Sequence, residues 1–393
     1  MILMNHFTST RFASLALAIG FFLACSSSKP SIDSLVNDAL YEEALTQIES
    51  ELQANPNQPE LLIQKGHIHL AIADQSIPQE RDFDYMEAVK AFNTALELEI
   101  TDEKKSELEN ELQNLWGKEF NTGTEIVETG NDLNTAQAHF TNAIILNENE
   151  PKAYLSASVV EYNLGNIDGA ISILTNAKNV LDPVPDQIYE NMGFLYLQNG
   201  DTKNSIFYYE LANTDISKNK NIAFGLVNTY ILNSQVERAA EVLGELNANF
   251  PNDPKIKNVY GTQLYTIASG IMDDLFTAYQ KNDTMLVAQI KFEAEGVGEQ
   301  AEEELISAYQ LDNTNEEYVK SLAVFYNNML GKYLTVHDVA FTEDKEAFNT
   351  KAEILLSFAI QYYDKLASFS PDDTEVNSTL EVLKKLKSQY FSN

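Results

Sequence analysis

The chain has 393 residues and is strongly acidic, with 59 Asp and Glu against 26 Lys and Arg and a formal net charge of −33. Nucleic-acid surfaces need clustered Lys and Arg, and beyond residue 24 only Arg81 and Arg238 remain, so nucleic acid is a poor candidate partner. The acidic excess is typical of a well-solvated surface in a salty habitat. The alternative is a cationic partner or divalent ions.

Residues 1–24 have the three-part form of an export signal: a polar start with one positive charge at Arg11, an apolar run, and a small residue before Cys25. The apolar run is too short for a membrane span. Cys25 is the only cysteine, which excludes an intrachain disulfide. The ending Leu23-Ala24-Cys25 resembles the signal of bacterial lipoproteins, in which the cysteine is lipidated and becomes the mature N-terminus. An ordinary cleaved signal with a chance cysteine is the alternative.

That resemblance implies a signal peptide over residues 1–24, a lipidated Cys25 and a flexible tether over residues 25–34. It implies a location in the bacterial cell envelope, anchored by lipid. Ser26 rather than Asp follows the cysteine, which resembles sorting to the outer membrane, facing the periplasm, with surface exposure as the alternative. Two or three acyl chains anchor a protein firmly, whereas one chain is marginal.

Helix pairs are predicted from residue 31 onwards, because apolar residues recur at helical spacing and alternating strand patterns are absent. Residues 55–59 are a clear break rich in Asn and Pro. The next pair has Gly66 at a close-approach position of its first helix, and residues 74–84 are expected to be an inserted loop. A long helix over 103–127 carries Trp116, the only tryptophan, which we interpret as a packing residue.

Residues 151–254 contain three consecutive helix pairs at a spacing of about 34 residues. We number the positions of each pair as offsets from Tyr154, Tyr189 and Ala223, which are offset 0. Small residues recur at offsets 4 and 16, where the two helices of a pair must approach closely. Gly or Ser recurs at offset 11, where the first helix ends and a positive φ is favoured. The aligned residues at offsets 0, 4, 11, 16, 20 and 23 are Tyr154, Ser158, Gly165, Ala170, Leu174 and Ala177, then Tyr189, Gly193, Gly200, Ser205, Tyr209 and Ala212, then Ala223, Val227, Ser234, Ala239, Leu243 and Leu246.

This pattern resembles the tetratricopeptide repeat (TPR) family, a 34-residue helix–turn–helix with small residues at set positions and a proline near its end. Tyr196, Tyr230 and Pro251 match its aromatic and proline positions. The resemblance implies an all-α, right-handed α-solenoid over residues 35–393, with about seven TPR-like helix pairs, insertions and a C-terminal capping helix. Regular repeats are expected over 151–254, irregular extended repeats over 255–371 and the cap over 372–393.

After Pro254 the repeat loosens, and inserted segments are expected near residues 266–298 and 327–350. A turn is predicted at 281–284, followed by a helix that stops at Gly296-Val297-Gly298 and resumes with Ala301. Residues 312–317 carry oxygen ligands but lack the central glycine and the spacing of a calcium loop, so a turn with a helix N-cap is predicted.

No catalytic or cofactor motif accompanies the repeats. A nucleophilic cysteine, a zinc-binding HExxH, a GxSxG elbow and a phosphate loop are all missing from the sequence, and carboxylate pairs are uninformative in so acidic a chain. We therefore predict a protein that is not an enzyme, with no cofactor, no small-molecule cofactor site and no metal.

The family resemblance implies that the first helices of the pairs line a concave groove. Aromatic residues there suit peptide capture, and they predict a partner-binding groove at Tyr154, Tyr162, Tyr189, Phe194 and Phe224. The expected function is a lipid-anchored scaffold that binds a protein partner in the envelope. A sharper form is an assembly factor of an outer-membrane, pilus or secretion machine. A glycan- or small-ligand-binding lipoprotein that uses the long helices is the alternative of another class.

Overall fold

The structure is a computed structural model that describes residues 29–130, 132–212 and 215–390. The expected signal peptide and Cys25 lie outside the described residues. Within them the chain is all-α, with no strand and with short 3-10 helices at Pro78–Glu80 and Ile216–Lys218. The α-helices are α1 (Ile32–Asn37), α2 (Tyr41–Ala54), α3 (Pro59–Gln75), α4 (Asp82–Leu96), α5 (Asp102–Thr129), α6 (Leu133–Leu146), α7 (Pro151–Asn163), α8 (Ile167–Val180), α9 (Asp186–Gln198), α10 (Thr202–Leu211), α11 (Lys220–Leu232), α12 (Val236–Asn249), α13 (Pro254–Gln280), α14 (Thr284–Leu311), α15 (Glu316–Val339), α16 (Thr342–Phe369) and α17 (Thr374–Tyr390).

The helices form eight consecutive pairs followed by α17, one pair more than the expected count of about seven. The first helix begins at Ile32, three residues before the expected start of the domain. Ile32 and Leu35 are buried against Ala44 and Ile48 of α2, so part of the expected tether belongs to the first helix pair. Below, helix A and helix B denote the first and second helix of a pair.

The described residues divide into two compact units. Of the described residues, the first unit contains 29–77 together with Phe83–Leu108, and the second contains Pro78–Asp82 together with those between Glu109 and Tyr390. All three regular repeats and all of the long C-terminal helices therefore lie in the second unit.

The turn inside each regular pair has the left-handed conformation that its sequence favours. At offset 11, Gly165 has φ +82°, Gly200 has φ +77° and Ser234 has φ +57°. The closing hydrogen bonds also repeat, since the amide nitrogens of Asn166, Asp201 and Gln235 each donate to the carbonyl oxygen five residues earlier, over 2.8–2.9 Å. This is the Schellman arrangement, which satisfies carbonyl groups left free at a helix end.

Ser234 adopts a conformation that costs an L-residue about 1 kcal/mol, because its Cβ crowds the following carbonyl oxygen. Ser234→Gly should therefore raise the free energy of unfolding by about 0.5 kcal/mol, part of the relief being lost to the greater entropy of glycine in the unfolded chain. Gly200→Ala, at the same offset, should lower it by about 1 kcal/mol. Urea denaturation of both variants checks the pair; a loss of stability in Ser234→Gly would contradict the strain argument.

The small residues of the regular repeats lie where helix A meets helix B. A Cβ added at Gly193 would approach Cγ of Tyr209 to 2.7 Å, so only a glycine admits this ring. Ser205 is fully buried, and its hydroxyl donates to the carbonyl oxygen of Gly193 over 2.8 Å. Ser158 and Ala170 are buried at the equivalent offsets of the preceding pair. The predicted close approach at offsets 4 and 16 is confirmed.

The last two pairs are built from longer helices rather than from inserted loops. α13 and α14 have 27 and 28 residues, whereas helices α7–α12 have 10 to 14. The turn predicted at 281–284 is present, but the predicted break at Gly296-Val297-Gly298 is wrong, because α14 runs unbroken through it. A continuous apolar core joins these helices to α17, which contributes Leu380 and Leu383. Tertiary packing thus overrides the low helix propensity of two glycines.

The segment expected to be an inserted loop, 74–84, is held in part by a buried carboxylate. Glu119 is only 1% exposed and accepts a hydrogen bond from Nη1 of Arg81 over 2.8 Å. Its other oxygen lies 2.6 Å from Nδ1 of His139. Asn142 donates to the carbonyl oxygen of Pro78 over 3.0 Å. We call Arg81, Glu119, His139 and Asn142 the Glu119 network; it fixes residues 78–82 to α5 and α6.

Candidate partner-binding site

Tyr154 was predicted to line a groove, but the structure buries it. Its side chain is 1% exposed, it packs in a core cluster with Leu174 and Ile188, and its hydroxyl has no hydrogen-bond partner in the described part of the chain. Burial raises the pKa of the phenol to about 12, with a smaller contribution from Glu148. Tyr154 stands at offset 0, where helix A faces helix B, so it is a packing residue and cannot contact a partner.

Tyr189 also faces helix B rather than an open surface. Its ring stacks on Tyr208 of α10, with 6.4 Å between the ring centroids, and Tyr196 stacks on the same ring at 5.3 Å. Nζ of Lys178 lies 5.9 Å from the Tyr208 centroid. These aromatic side chains therefore join α9 to α10 and α8. Tyr230, at the aromatic position of the repeat, is buried and donates to Glu210 over 2.6 Å.

Tyr162 and Phe194 do come together, on neighbouring A helices. Their rings meet edge to face with 5.3 Å between centroids, and the Tyr162 hydroxyl lies 3.5 Å from Oε1 of Gln198. Phe194 is 37% exposed. Phe224 lies on the next A helix, half-buried, with Nζ of Lys255 5.0 Å from its ring centroid. Three of the five predicted groove residues thus share one side of α7, α9 and α11.

The same side of these helices carries residues that the sequence interpretation missed. They occupy offsets 1, 5 and 8, which fall on one face of a helix because they are separated by four and three residues. All are half-buried or exposed. At one of these nine positions, offset 1 of α9, stands the acidic Glu190. We call the other eight the A-helix face, which includes three of the predicted residues: Leu155, Val159, Tyr162, Phe194, Leu197, Phe224, Asn228 and Ile231. The recurrence of apolar residues at these offsets in the aligned repeats was the available signal.

One repeat class is defined by three features together. These are helix starts at residues 151, 186, 220 and 254, a left-handed residue at offset 11, and contacts between small residues of helix A and helix B. The described chain has the TPR fold. Each unit buries its apolar residues against the next.

No protein-family model matches the chain, and no curated protein matches it. Solved structures are similar at low identity. They include PilF of Pseudomonas aeruginosa, at 12% identity over 68% of this chain and 97% of that one, with a TM-score of 0.44. The C-terminal part of a TPR protein from Cytophaga hutchinsonii matches at 12% over 89% and 98%, with a TM-score of 0.39. A TPR protein from Parabacteroides merdae matches at 12% over 83% and 98%, with a TM-score of 0.34.

Over 29–130, 132–212 and 215–390, no group of three or more His, Cys, Asp or Glu side chains has the arrangement of a metal site. Among the helices described, none combines the length and apolar composition needed to cross a bilayer. Residues 312–317 form the turn and N-cap predicted for them, with Oδ1 of Asn315 accepting from the amide of Glu317 over 3.0 Å.

Proposed function

We propose that the chain is a lipid-anchored TPR scaffold that captures an extended segment of an envelope protein on the A-helix face. The observation that carries the proposal is the run of solvent-accessible apolar side chains along three successive A helices. A repeat array offers one such strip per unit, so an extended polypeptide can contact several in turn. In its sharper form, the scaffold is an assembly factor of an outer-membrane, pilus or secretion machine.

Contact with a partner is favoured by the exposed portions of the A-helix face. Val159 is 45% exposed and Phe194 is 37% exposed, so each has apolar area left to bury. Burying apolar surface contributes about 25 cal/mol per Å², and aromatic anchors dominate many interfaces. Tyr162 holds the Phe194 ring from the side, which lowers the entropy lost when a partner packs on it. Phe194 is therefore the expected anchor.

Phe194→Ala should weaken partner binding roughly tenfold, the loss expected for one buried aromatic anchor. Phe207 is the matched control, because it is a phenylalanine 55% exposed on helix B of the same pair, outside the A-helix face. Envelope proteins captured by the wild-type chain would be identified, and their affinities for the two variants measured by titration. Equal losses in both variants, or a loss only in Phe207→Ala, would remove the A-helix face as the binding surface.

The anchoring part of the proposal is supported by the sequence around Cys25 alone. Cys25→Ser should move the protein from the membrane fraction to the soluble periplasmic fraction, because lipidation requires the thiol. Ser26→Ala is the matched control, since it changes a neighbour and leaves the cysteine in place. Cell fractionation and metabolic labelling with a fatty acid check both variants. Continued membrane retention without label in Cys25→Ser would show that a protein contact, not a lipid, holds the chain.

A further inference from the structure

A cavity of about 200 Å³ lies between α14, α15 and α16, on helices that do not contribute to the A-helix face. Its apolar lining includes Phe325, Met329, Phe348 and Leu355, all of them almost fully buried. Pockets for drug-sized ligands measure about 300–1,000 Å³, so this cavity suits a smaller group with an apolar part.

One wall of the cavity is negatively charged. Glu295, Glu299 and Glu302 follow one another on α14 at a spacing that places them on one face of the helix. Glu302 accepts a hydrogen bond from the Tyr326 hydroxyl over 2.7 Å and lies 4.0 Å from Nζ of Lys351. The side chains of Glu295 and Glu299 are exposed, and within the described residues their carboxylates have neither a hydrogen bond nor an ion pair. Their mutual repulsion is therefore not relieved by a partner in the chain.

The two lysines of the lining do not cancel this charge. Nζ of Lys291 binds Asp344, outside the cavity lining, over 2.7 Å. The Tyr279 hydroxyl donates to the other oxygen of Asp344 over 2.8 Å. Burial opposes ionisation of Asp344, but the bonds from Lys291 and Tyr279 outweigh it and lower its pKa. Lys291 is thus already neutralised, and Lys351 faces Glu302, which leaves two carboxylates in excess.

A buried tyrosine without a partner also lines the cavity. Tyr333 is 8% exposed, and no residue of the described chain forms a hydrogen bond with its hydroxyl. Burial raises its pKa to about 12, and the negative charges of Glu295, Glu299 and Glu302 add to the shift. The oxygen of this hydroxyl can accept a hydrogen bond from a ligand that carries N–H donors and no acceptor, such as an ammonium group.

Gly298 keeps the cavity open. Glycine in the middle of a helix is less favourable than alanine, and Gly298 lies within the 28-residue α14. Neither packing nor backbone conformation requires it, because an added Cβ would meet only Cε of Met329, at an ordinary 3.9 Å. A larger side chain at this position would instead occupy the space that the cavity provides.

We propose that this cavity binds a primary ammonium group on a short aliphatic stem. The stem packs on Phe325, Met329 and Phe348, and the ammonium group binds the carboxylates of Glu295 and Glu299 beside the Tyr333 hydroxyl. Two sources share this chemistry: a free alkylamine, and a lysine side chain of a polypeptide. The cavity shares no residue with the A-helix face, so amine binding there can be tested separately from the proposed scaffold function.

The test is a calorimetric titration of the full-length chain with n-butylammonium, with Nα-acetyl-lysine methylamide and with butanoate. At least one amine should bind, and butanoate should bind at least tenfold more weakly, because its charge opposes that of Glu295 and Glu299. Binding of n-butylammonium by itself assigns the site to free amines, and stronger binding of the lysine derivative assigns it to a side chain. If neither amine binds, or if butanoate binds as well as they do, the proposal is overturned.

Variants locate the binding on the cavity wall. Glu299→Gln should weaken amine binding about tenfold, the loss expected for one charged hydrogen bond, and its exposed position leaves the fold undisturbed. Glu293→Gln is the matched control, since Glu293 is exposed on the same helix outside the lining. Gly298→Leu should abolish binding by filling the cavity. Equal affinities of Glu299→Gln and Glu293→Gln would refute the assignment even if Gly298→Leu fails to fold.

Discussion

Arg81→Ala should lower the free energy of unfolding of the second compact unit by about 3–5 kcal/mol. Removing the guanidinium leaves Glu119 almost fully buried, with Asn142 and His139 among its remaining partners. An ionised carboxylate in that position has lost its strongest neutralising group and cannot recover hydration. The loss therefore reflects an uncompensated buried charge and exceeds the net contribution of the intact pair.

Arg238→Ala is the matched control, because Arg238 is the only other arginine after residue 24. Its ion pair with Glu210 is open to solvent, the two side chains being 50% and 41% exposed, so we expect a change below about 1 kcal/mol. Urea denaturation followed by circular dichroism measures both variants. Amide hydrogen exchange at residues 79–82 should also accelerate in Arg81→Ala alone. Similar small losses in both variants would mean that the Glu119 network does not hold this segment.

The Glu119 network shows where sequence interpretation fails. A stretch with Pro78 and several charges has the composition of a loop, and that composition carries no information about a carboxylate 38 residues further along. Buried charge pairs bring together residues that no local period relates. Repeats are different, because small residues at offsets 4 and 16 and a Gly or Ser at offset 11 are each required by contacts inside one unit. Fold class and turn positions were therefore predictable.

The candidate site was only partly predictable for a related reason. Helix A has one side towards helix B and another side open to solvent. A shift of one position along the sequence moves a side chain from the first side to the second. Tyr154 at offset 0 and Phe224 at offset 1 look alike in the sequence, yet the first is buried and the second is half-exposed. Aromatic content alone favoured both. An alignment of the three repeats distinguishes Tyr154 from Phe224, because it compares positions within the repeat unit and not residue types.

Gly261→Ala should lower the free energy of unfolding by about 1–3 kcal/mol, although alanine is the better helix former. The glycine lies in α13 at offset 4 of its repeat, facing α14. An added Cβ would approach Cγ of Leu305 to 2.8 Å and the carbonyl oxygen of Ala301 to 3.1 Å. Leu305 is buried and the carbonyl belongs to a rigid helix, so neither has room to move away. The added Cβ can therefore be accommodated only if α13 and α14 move apart, which weakens their packing.

Gly270→Ala tests this explanation within the same helix. An alanine Cβ at Gly270 has no neighbour within 4 Å, so only helix propensity changes, and the variant should gain about 0.5–1 kcal/mol. Opposite signs for two identical substitutions nine residues apart can come only from the contact with α14, because length, composition and backbone conformation are shared. Thermal and urea unfolding of both variants provide the measurement. A gain in both would mean that α13 and α14 are not in close contact at offset 4, and the repeat unit would then end before the long helices.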